Sequence, residues 1–226
     1  QSAASDEALY HESLVAPAFV LSDRPLRRVA ILGGGEGATL REVLRFPEVE
    51  QCVMIDIDPE LVELCRAHLP DWSAGAFADP RAELRCEDAL NFLQRAAALG
   101  DKYDLIICDL PDAELDTPLA QLYARPFFEL LARCLGPGGL YAGHVGSLQM
   151  PPSIIGPAAI VRAAAPAFAE LLAYSRFIPS FGAEWIFAVA RLERSLPALT
   201  PSEVDERLAR RRDPKLPCQT YDGMTH

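Results

Sequence analysis

Residues 28–58, RVAILGGGEGATLREVLRFPEVEQCVMIDID, carry in turn the patterns of a strand, a glycine turn, a helix and a second strand. The apolar run at 29–32 leads directly into three glycines, which is typical of a strand buried on both faces that meets a tight turn. Residues 39–46 have apolar side chains at helical spacing, and 53–55 form a second buried strand. The stretch therefore predicts the first half of a doubly wound α/β sheet.

The same stretch predicts a binding site for a nucleoside. Asp56 ends the second strand about twenty residues after the glycines, where nucleotide-binding folds place the acid that binds ribose. The glycine spacing differs from the dinucleotide fingerprint G-x-G-x-x-G, and a run of glycines also occurs in purely structural turns. Strand, helix and terminal acid together favour the binding site. Glu36 stands inside the glycine loop, where it would repel a phosphate or a carboxylate, so we expect a ligand that is cationic at that point.

Composition limits the class of protein. The 226 residues are half hydrophobic, enough for one sizeable domain with or without an appendage, and they carry a net charge of −11. This charge argues against a nucleic-acid partner and suits a cationic ligand, although an acidic surface also serves solubility alone. The sequence has no apolar run of about eighteen residues and no signal peptide, so we expect a soluble, cytoplasmic protein without a membrane partner.

The cysteines show no C-x-x-C pair and no spacing with histidine that indicates zinc, so we expect no metal site. Most of them fall in apolar strand or helix patterns, which favours buried thiols in a reducing cytosol. They are Cys52, Cys65, Cys86, Cys108, Cys134 and Cys218.

The rest of the chain continues the alternation of strand and helix, which predicts a Rossmann-like, seven-stranded, mostly parallel sheet of the class I methyltransferase type. We expect a lead-in segment at 1–27, a catalytic domain at 28–200 and a C-terminal helix and tail at 201–226. The other predicted elements are a short helix at 6–20 broken at Pro17, a helix at 59–69 capped by Asp58 and stopped by Pro70, a loop at 71–82, helices at 89–99, 127–135 and 152–172, a turn at 136–139, and strands at 82–86, 103–108, 140–145, 173–178 and 185–191.

Acidic residues follow the ends of four successive predicted strands: Glu36, Asp56, Asp88 and Asp109. Open parallel sheets bind their ligands in the crevice outside the carboxyl ends of the strands. One acid at such a position is commonly a helix cap or a solubilising residue, whereas four at successive ends indicate a functional cluster.

Several motifs then carry a resemblance to a known family. The chain resembles the polyamine aminopropyltransferases (spermidine, spermine and thermospermine synthases) over nearly its whole length, and GEGATLRE, DLPD and PSFGAEW look most like the thermospermine synthase branch. We expect the chain to lack the small N-terminal β-hairpin domain of that family. The matching motifs are DEALYHE at 6–12, GGGEGATLREVLRFPEVE at 33–50, MIDID at 54–58, DPR at 79–81, EDA at 87–89, YDLIICDLPD at 103–112, PGG at 137–139, IPSF at 178–181 and YDG at 221–223.

The resemblance implies a donor, decarboxylated S-adenosylmethionine, which is a co-substrate, and it implies no cofactor. In this reading Asp56 binds the ribose hydroxyls, Asp88 and Ala89 lie at the adenine, and Glu36 faces the aminopropyl amine. The implied donor-binding residues are Gly33, Gly35, Glu36, Asp56, Asp88 and Ala89. The donor bears an ammonium where S-adenosylmethionine has an adjacent carboxylate, so an acid in the loop would discriminate between them by charge.

The resemblance also implies an acceptor side. Asp109 would be the catalytic acid/base carboxylate, and Tyr10, His11, Asp112 and Phe181 would bind a small-molecule polyamine. Such an amine has a pKa of about 10 and must lose a proton before it can attack the carbon beside the sulfonium. Alternatively, Tyr10 packs on the sheet and His11 is an exposed helix residue. The implied assembly is a homodimer or a homotetramer.

The chain departs from the family mainly on the acceptor side. The Gln of the family's fifth strand is His144, which is either catalytic or a satisfied strand histidine, and we favour the second. A tyrosine of the family is Phe181, and Thr117-Pro118 replaces Gly-Pro after the acids Glu114 and Asp116. These acids either pair with the extra ammonium groups of a longer polyamine or form a solvated loop face. The changes favour spermidine over putrescine as acceptor.

Two other functions share most of these features. A class I methyltransferase that uses S-adenosylmethionine would have the same fold and the same ribose acid, but Glu36 and the DLPD acids argue against it. A non-catalytic polyamine-binding homologue would keep the sheet without turnover, and the presence of all the acids argues against that function.

Overall fold

The computed structural model describes residues 3–112, 114–193 and 197–226. In these residues a seven-stranded sheet has the order β3-β2-β1-β4-β5-β7-β6. Strands β1 to β5 are parallel, β7 runs antiparallel to β5, and β6 pairs antiparallel with β7. The predicted Rossmann-like sheet is therefore confirmed. The strands are β1 (Arg28–Gly33), β2 (Gln51–Asp56), β3 (Ala82–Cys86), β4 (Tyr103–Asp109), β5 (Leu135–Gly146), β6 (Glu170–Ile178) and β7 (Ala183–Arg191).

Helices cover both faces of the sheet. Along β1, Val29 and Ile31 belong to one apolar core, whereas Ala30 and Leu32 belong to the other, which confirms that this strand is buried on both faces. The helices are α1 (Glu7–Leu21), α2 (Ala38–Leu44), α3 (Pro59–His68), α4 (Pro70–Ser73), α5 (Ala89–Leu99), α6 (Arg125–Cys134), α7 (Pro157–Ala164) and α8 (Pro201–Arg211). None of the described helices is both long and apolar enough to cross a membrane.

The predicted break of the first helix at Pro17 is wrong, because α1 continues to Leu21. Pro17 has no N–H to donate to the carbonyl oxygen of Ser13, one turn earlier. That carbonyl accepts a hydrogen bond from the hydroxyl of Tyr174 in β6 instead, at 2.8 Å. The tertiary contact thus satisfies the group that proline leaves unpaired, and the helix persists.

The predicted helix at 152–172 is also wrong at both ends. Only 157–164 are α-helical; a 3₁₀ turn at 165–167 follows, and 170–172 already belong to β6. Pro157 occupies the first helical turn and Pro166 lies in the 3₁₀ turn, so prolines mark both limits of the helix. Pairing of β6 with β7 overrides the helical preference of the alanine-rich sequence.

Smaller differences concern the ends of elements. The predicted turn at 136–139 lies within β5, which already pairs with β4 at Leu135 and has an irregular register there. The predicted loop at 71–82 contains the end of α4 and a 3₁₀ turn at 76–78. Asp58 caps α3 as predicted, because its side chain accepts a hydrogen bond from the Leu61 amide at 2.9 Å.

The C-terminal tail is attached to α1 through a buried acid. Glu12 is fully buried, and its carboxylate accepts hydrogen bonds from the amides of Gln219 and Thr220, both at 2.7 Å. Arg212 donates to Glu42 of α2 at 2.7 Å and lies 3.7 Å from Glu12. The tail therefore fixes α1 against α2, and α1 carries two of the predicted site residues.

The cysteines are all free, and four of them are buried, in agreement with the expected thiols. Cys86 is exposed and Cys218 is half-buried. Burial raises the pKa of the Cys52 and Cys108 thiols well above the ordinary value. These two thiols therefore stay protonated and are poor nucleophiles.

Candidate active site

The glycine turn packs directly against the end of β4. Gly33 pairs with Asp109 in the sheet and has a φ of +87°, which favours glycine. A Cβ atom at this position would overlap the carbonyl oxygen of Asp109, and the amide of Gly34 donates to that same oxygen at 3.2 Å. The absence of a side chain at Gly33 thus allows the catalytic candidate to lie against the loop.

Asp56 lies over the same turn from the other side. A Cβ atom at Gly35 would be 2.7 Å from Oδ2 of Asp56, so a side chain there would displace this carboxylate. The amide of Asp58 donates to Asp56 Oδ1 at 2.9 Å. Burial raises the pKa of Asp56, and the nearby charge of Glu36 adds to that rise, while the amides of Asp58 and Gly35 counteract it. The glycine loop therefore contacts two of the predicted acids, Asp109 at Gly33 and Asp56 at Gly35.

The Asp109 carboxylate is held by two hydroxyl groups. Tyr10 donates to Oδ1 at 2.7 Å, and Thr39 donates to Oδ2 at 2.6 Å. Burial and the charge of Asp109 raise the pKa of Tyr10 well above its usual range, so its hydroxyl remains a donor. Thr39 was not among the predicted site residues. The available signal was its position as the hydroxyl residue that follows the glycine loop in the first turn of α2.

His11 is fully buried, so the alternative of an exposed helix residue is wrong. Its Nδ1 lies 2.7 Å from the carbonyl oxygen and 2.9 Å from Oε2 of Glu7, and its Nε2 lies 3.1 Å from Oε1 of Glu36. Burial by itself would lower the pKa of His11, but the hydrogen bonds to Glu36 and Glu7 raise it to about 10. Arg41 donates to the same Oε2 of Glu7 at 2.7 Å.

Glu7 and Glu36 are the carboxylates on either side of this imidazole ring. Burial would raise the pKa of Glu7, but hydrogen bonds from His11 and Arg41 lower it to about 2. Burial would likewise raise the pKa of Glu36, and the hydrogen bond and charge of His11 lower it below its ordinary value. The Glu36 side chain keeps 26% of its surface exposed, so it remains accessible to a ligand.

One group of side chains in the described residues has the spacing of metal ligands. His11, Glu36 and Asp109 each offer an atom, and these atoms lie within 4.8 Å of one another. Both nitrogens of His11 face oxygen acceptors, and a ring protonated on both nitrogens has no lone pair to bind a metal ion. The group is therefore arranged for ion pairing.

An aromatic wall, formed by the rings of Tyr10, Phe181 and Trp185, lines the site beyond Asp109. The ring centroid of Phe181 lies 5.9 Å from that of Tyr10 and 4.8 Å from that of Trp185. Trp185 was not among the predicted site residues. It is 8% exposed, and its indole nitrogen has no hydrogen-bond partner among the described residues. Phe181 is half-buried at the end of a 3₁₀ turn, so it is accessible from this side.

His144 is buried in β5 behind the DLPD segment. Its Nε2 lies 2.6 Å from the carbonyl oxygen of Leu110, so this nitrogen carries a proton and donates it. Its Nδ1 has no hydrogen-bond partner in the described part of the chain and lies 3.8 Å from Oδ1 of Asp112. Burial raises the pKa of Asp112, and the charge of His144 counteracts this. The favoured reading of a satisfied histidine thus holds for one nitrogen only.

The fourth predicted strand-end acid, Asp88, lies at the N-terminus of α5. Asp88 caps α5 by accepting a hydrogen bond from the Asn91 amide at 2.9 Å, and Ala89 is buried in the first turn. The end of β3 is tied to β2, because the Glu87 amide donates to the Asp56 carbonyl at 3.1 Å. Asp88 therefore has a capping role at the same edge of the sheet as Asp56.

The loop after Asp112 exposes its two additional acids. Glu114 is exposed and forms an isolated bridge with Ile154, and Asp116 is exposed with a φ of +56°. In the described part of the chain, neither side chain forms a hydrogen bond or an ion pair with the residues around Asp109. This exposure fits a solvated loop face. Ala113, between Asp112 and Glu114, lies outside the described residues.

The fold and the site together define an α/β protein with an acid-lined crevice at the carboxyl ends of its strands. Residues 7–196 match the protein family described as "Spermine/spermidine synthase domain". The chain therefore belongs to the spermine/spermidine synthase family.

Individual relatives agree with this assignment. The chain is 45% identical over 215 residues to polyamine aminopropyltransferase 2 of Pseudomonas aeruginosa, an alignment that covers 95% of the chain and 60% of that relative. It is 46% identical over 227 residues to the polyamine aminopropyltransferase of Pyrobaculum calidifontis, covering 100% of the chain and 76% of the relative. The chain thus spans between about three fifths and three quarters of these proteins.

Solved structures confirm the fold. The crystal structure of spermidine synthase from Thermotoga maritima superposes with a TM-score of 0.82 at 23% identity, over 100% of this chain and 72% of that one. A spermidine synthase in complex with the transition state analogue AdoDATO gives a TM-score of 0.82 at 24% identity, over 100% and 73% of the two chains.

Proposed function

We propose that the protein transfers the aminopropyl group of decarboxylated S-adenosylmethionine to an amine of a polyamine and releases methylthioadenosine. The observation that carries this proposal is the Asp109 carboxylate, which two hydroxyl groups hold next to Glu36 and an aromatic wall. Relatives more than 40% identical that are named polyamine aminopropyltransferase support it.

The donor would lie across the carboxyl ends of β1 to β3. Asp56, packed on Gly35, would accept hydrogen bonds from the ribose hydroxyls, and the segment Asp88–Ala89 would contact the adenine. Glu36 would bind the ammonium of the aminopropyl chain. The lowered pKa of Glu36 supports this role, because the carboxylate is charged at neutral pH.

The reaction would be a direct displacement. The amine nitrogen forms a bond to the carbon beside the sulfonium, the carbon–sulfur bond breaks, and its electron pair returns to sulfur to give the neutral thioether. The amine must be unprotonated to attack, and its pKa is about 10 in water. Each oxygen of Asp109 accepts one hydrogen bond and retains a further lone pair, so the carboxylate would orient the amine and take its proton.

On the acceptor side we propose spermidine in preference to putrescine, with a product of the thermospermine or spermine type. Phe181 offers no hydroxyl to the distal amine of a short diamine, and Asp112 supplies a carboxylate for a second nitrogen. We further propose a homodimer or homotetramer, which light scattering of the purified protein would test, and a location in the cytoplasm, which fractionation of cells would test.

Chromatography of the products tests the function directly. The protein would be incubated with decarboxylated S-adenosylmethionine and, separately, with putrescine, spermidine or spermine. Release of methylthioadenosine together with an aminopropylated amine is the expected result. A methylated amine formed from S-adenosylmethionine, or binding of polyamine without any turnover, would contradict it.

A further inference from the structure

We infer that His11 is a positioning residue: a buried imidazolium between Glu7 and Glu36, close to Asp109, whose positive charge offsets the repulsion between the Glu36 and Asp109 carboxylates. The inference rests on the proposed function, because it explains how the donor-binding acid and the proton acceptor work at the same time. It also differs from the role that the family resemblance implies, in which His11 contacts the substrate.

The hydrogen-bond geometry gives the protonation state. Nδ1 faces two oxygens of Glu7, a backbone carbonyl at 2.7 Å and a carboxylate at 2.9 Å. Nε2 faces the carboxylate of Glu36 at 3.1 Å. A backbone carbonyl and an ionised carboxylate accept hydrogen bonds and do not donate them, so beside an ionised Glu36 each ring nitrogen carries a proton. The pKa of about 10 for His11 agrees with this geometry.

The position of the ring explains why its charge matters. One atom from each of His11, Glu36 and Asp109 lies within 4.8 Å of the others. Two carboxylates this close in a partly buried site repel each other, and such pairs commonly share one proton. A shared proton would remove either the charge that binds the donor ammonium or the base that accepts the amine proton. The imidazolium supplies the compensating positive charge.

A second layer of charges holds the imidazolium. Glu7 accepts hydrogen bonds from both His11 and Arg41 through the same oxygen. Arg41 is itself fixed by the carbonyl of Trp72 at 2.7 Å and by Glu42 at 2.9 Å. The charged and titratable groups that face His11 are Glu7 and Tyr10 of α1, Glu36 of the glycine loop, Asp109 of β4 and, behind Glu7, Arg41 of α2.

Nitrogen NMR of the wild-type protein tests the protonation state without any turnover. At pH 8 both nitrogens of His11 are expected to show the resonances of protonated nitrogen, and the loss of these resonances in His11→Gln assigns them to His11. An unprotonated nitrogen in His11 at pH 8 would overturn the inference.

The function of the charge is tested with His11→Gln and with Glu7→Gln, which leaves the buried ring in place. Glu129→Gln, at an exposed ion pair of α6, is the matched control. The acidic limb of the turnover profile is expected to move to higher pH, by about 1–2 units in His11→Gln and less in Glu7→Gln. No shift in Glu129→Gln is expected. An unmoved limb in a folded His11→Gln protein would refute the role.

Proton release on donor binding supplies a measurement that a purely structural role would not change. Calorimetry in two buffers of different ionisation enthalpy counts these protons. We expect little release from the wild type near pH 7 and up to about one proton from His11→Gln, in which the carboxylates share one. Equal release from both proteins would contradict the inference. If the wild type makes no product from any polyamine, the proposed function is wrong. The NMR and calorimetric experiments still test the protonation and the charge role of His11, because they need no turnover.

Discussion

Tyr10 and Asp109 are 99 residues apart in the chain, yet the tyrosine hydroxyl donates to the carboxylate at 2.7 Å. The hydrogen bond joins α1 to the end of β4. The ring of Tyr10 also packs against Phe187 of β7, with centroids 5.5 Å apart. The alternative in which Tyr10 packs on the sheet is thus confirmed, its hydroxyl in addition holds the Asp109 carboxylate, and contact with a polyamine stays a prediction.

We expect Tyr10→Phe to lower turnover by about 10- to 150-fold, since a hydrogen bond to a charged group contributes about 1.5–3 kcal/mol when it orients a reacting carboxylate. Steady-state kinetics with saturating donor would measure this. Tyr174→Phe is the control, because it removes a hydroxyl that bonds to the same helix at Ser13. An equal loss of turnover in both variants would assign the effect to the position of α1.

Removal of the charge at Asp109 should act on the chemical step. Asp109→Asn is expected to lower turnover by about 10²–10⁴-fold and to leave donor binding nearly unchanged. Thr39→Val, which removes the second hydroxyl donor, should cause a smaller loss. Single-turnover measurements together with donor calorimetry separate the two effects. Near-normal turnover of Asp109→Asn would transfer the role of base to another group.

Glu36 should set the choice of donor. We expect decarboxylated S-adenosylmethionine to bind more tightly than S-adenosylmethionine by about 1–3 kcal/mol, and Glu36→Gln to narrow this difference. Calorimetry with both ligands measures it. Equal affinities of the wild type for the two ligands would refute the role of Glu36.

The strand pattern predicted most of the fold because buried parallel strands are apolar throughout and short. The bounds of β3 and α5 were predicted correctly from such local signals. Failures occurred where a distant contact determined the outcome. The continuation of α1 past Pro17 depends on Tyr174, and the strand at 170–172 depends on its pairing with β7. Such partners are far away in the chain and have no local signature.

Some features of the site can be predicted from the sequence, and others depend on the folded structure. Acids at strand ends can be identified from the sequence, since strand direction places them at one edge of the sheet. The side-chain contacts around these acids cannot be predicted in this way. Thr39 and Arg41 lie in a helix whose residues are all buried, so hydropathy does not distinguish a packing residue from one that bonds to Asp109 or Glu7.

The close contact at Gly33 leads to a prediction about stability. Gly33→Ala should destabilise the fold by about 3 kcal/mol or more, because the new Cβ meets the Asp109 backbone in addition to the left-handed strain. Gly100→Ala is the matched control: its φ is +74°, and no atom lies within 4 Å of the added Cβ. It should cost about 1–2 kcal/mol. Urea unfolding of the three proteins measures the difference, and equal losses would contradict the contact argument.

The choice of acceptor follows from the aromatic wall. Phe181 packs between Tyr10 and Trp185, at a position where a tyrosine hydroxyl would offer a partner to the distal amine of a short diamine. A site without that partner loses discrimination in favour of putrescine. We therefore expect spermidine to be the preferred acceptor when putrescine and spermidine compete at equal concentration. Phe181→Tyr should shift usage toward putrescine by a factor of about 5–10, the value of one neutral hydrogen bond. Leu172→Ala, on an exposed position of β6, provides a control that should leave the ratio unchanged. Formation of mainly spermidine by the wild-type protein would refute the preference, and an unchanged ratio in Phe181→Tyr would refute the hydroxyl argument.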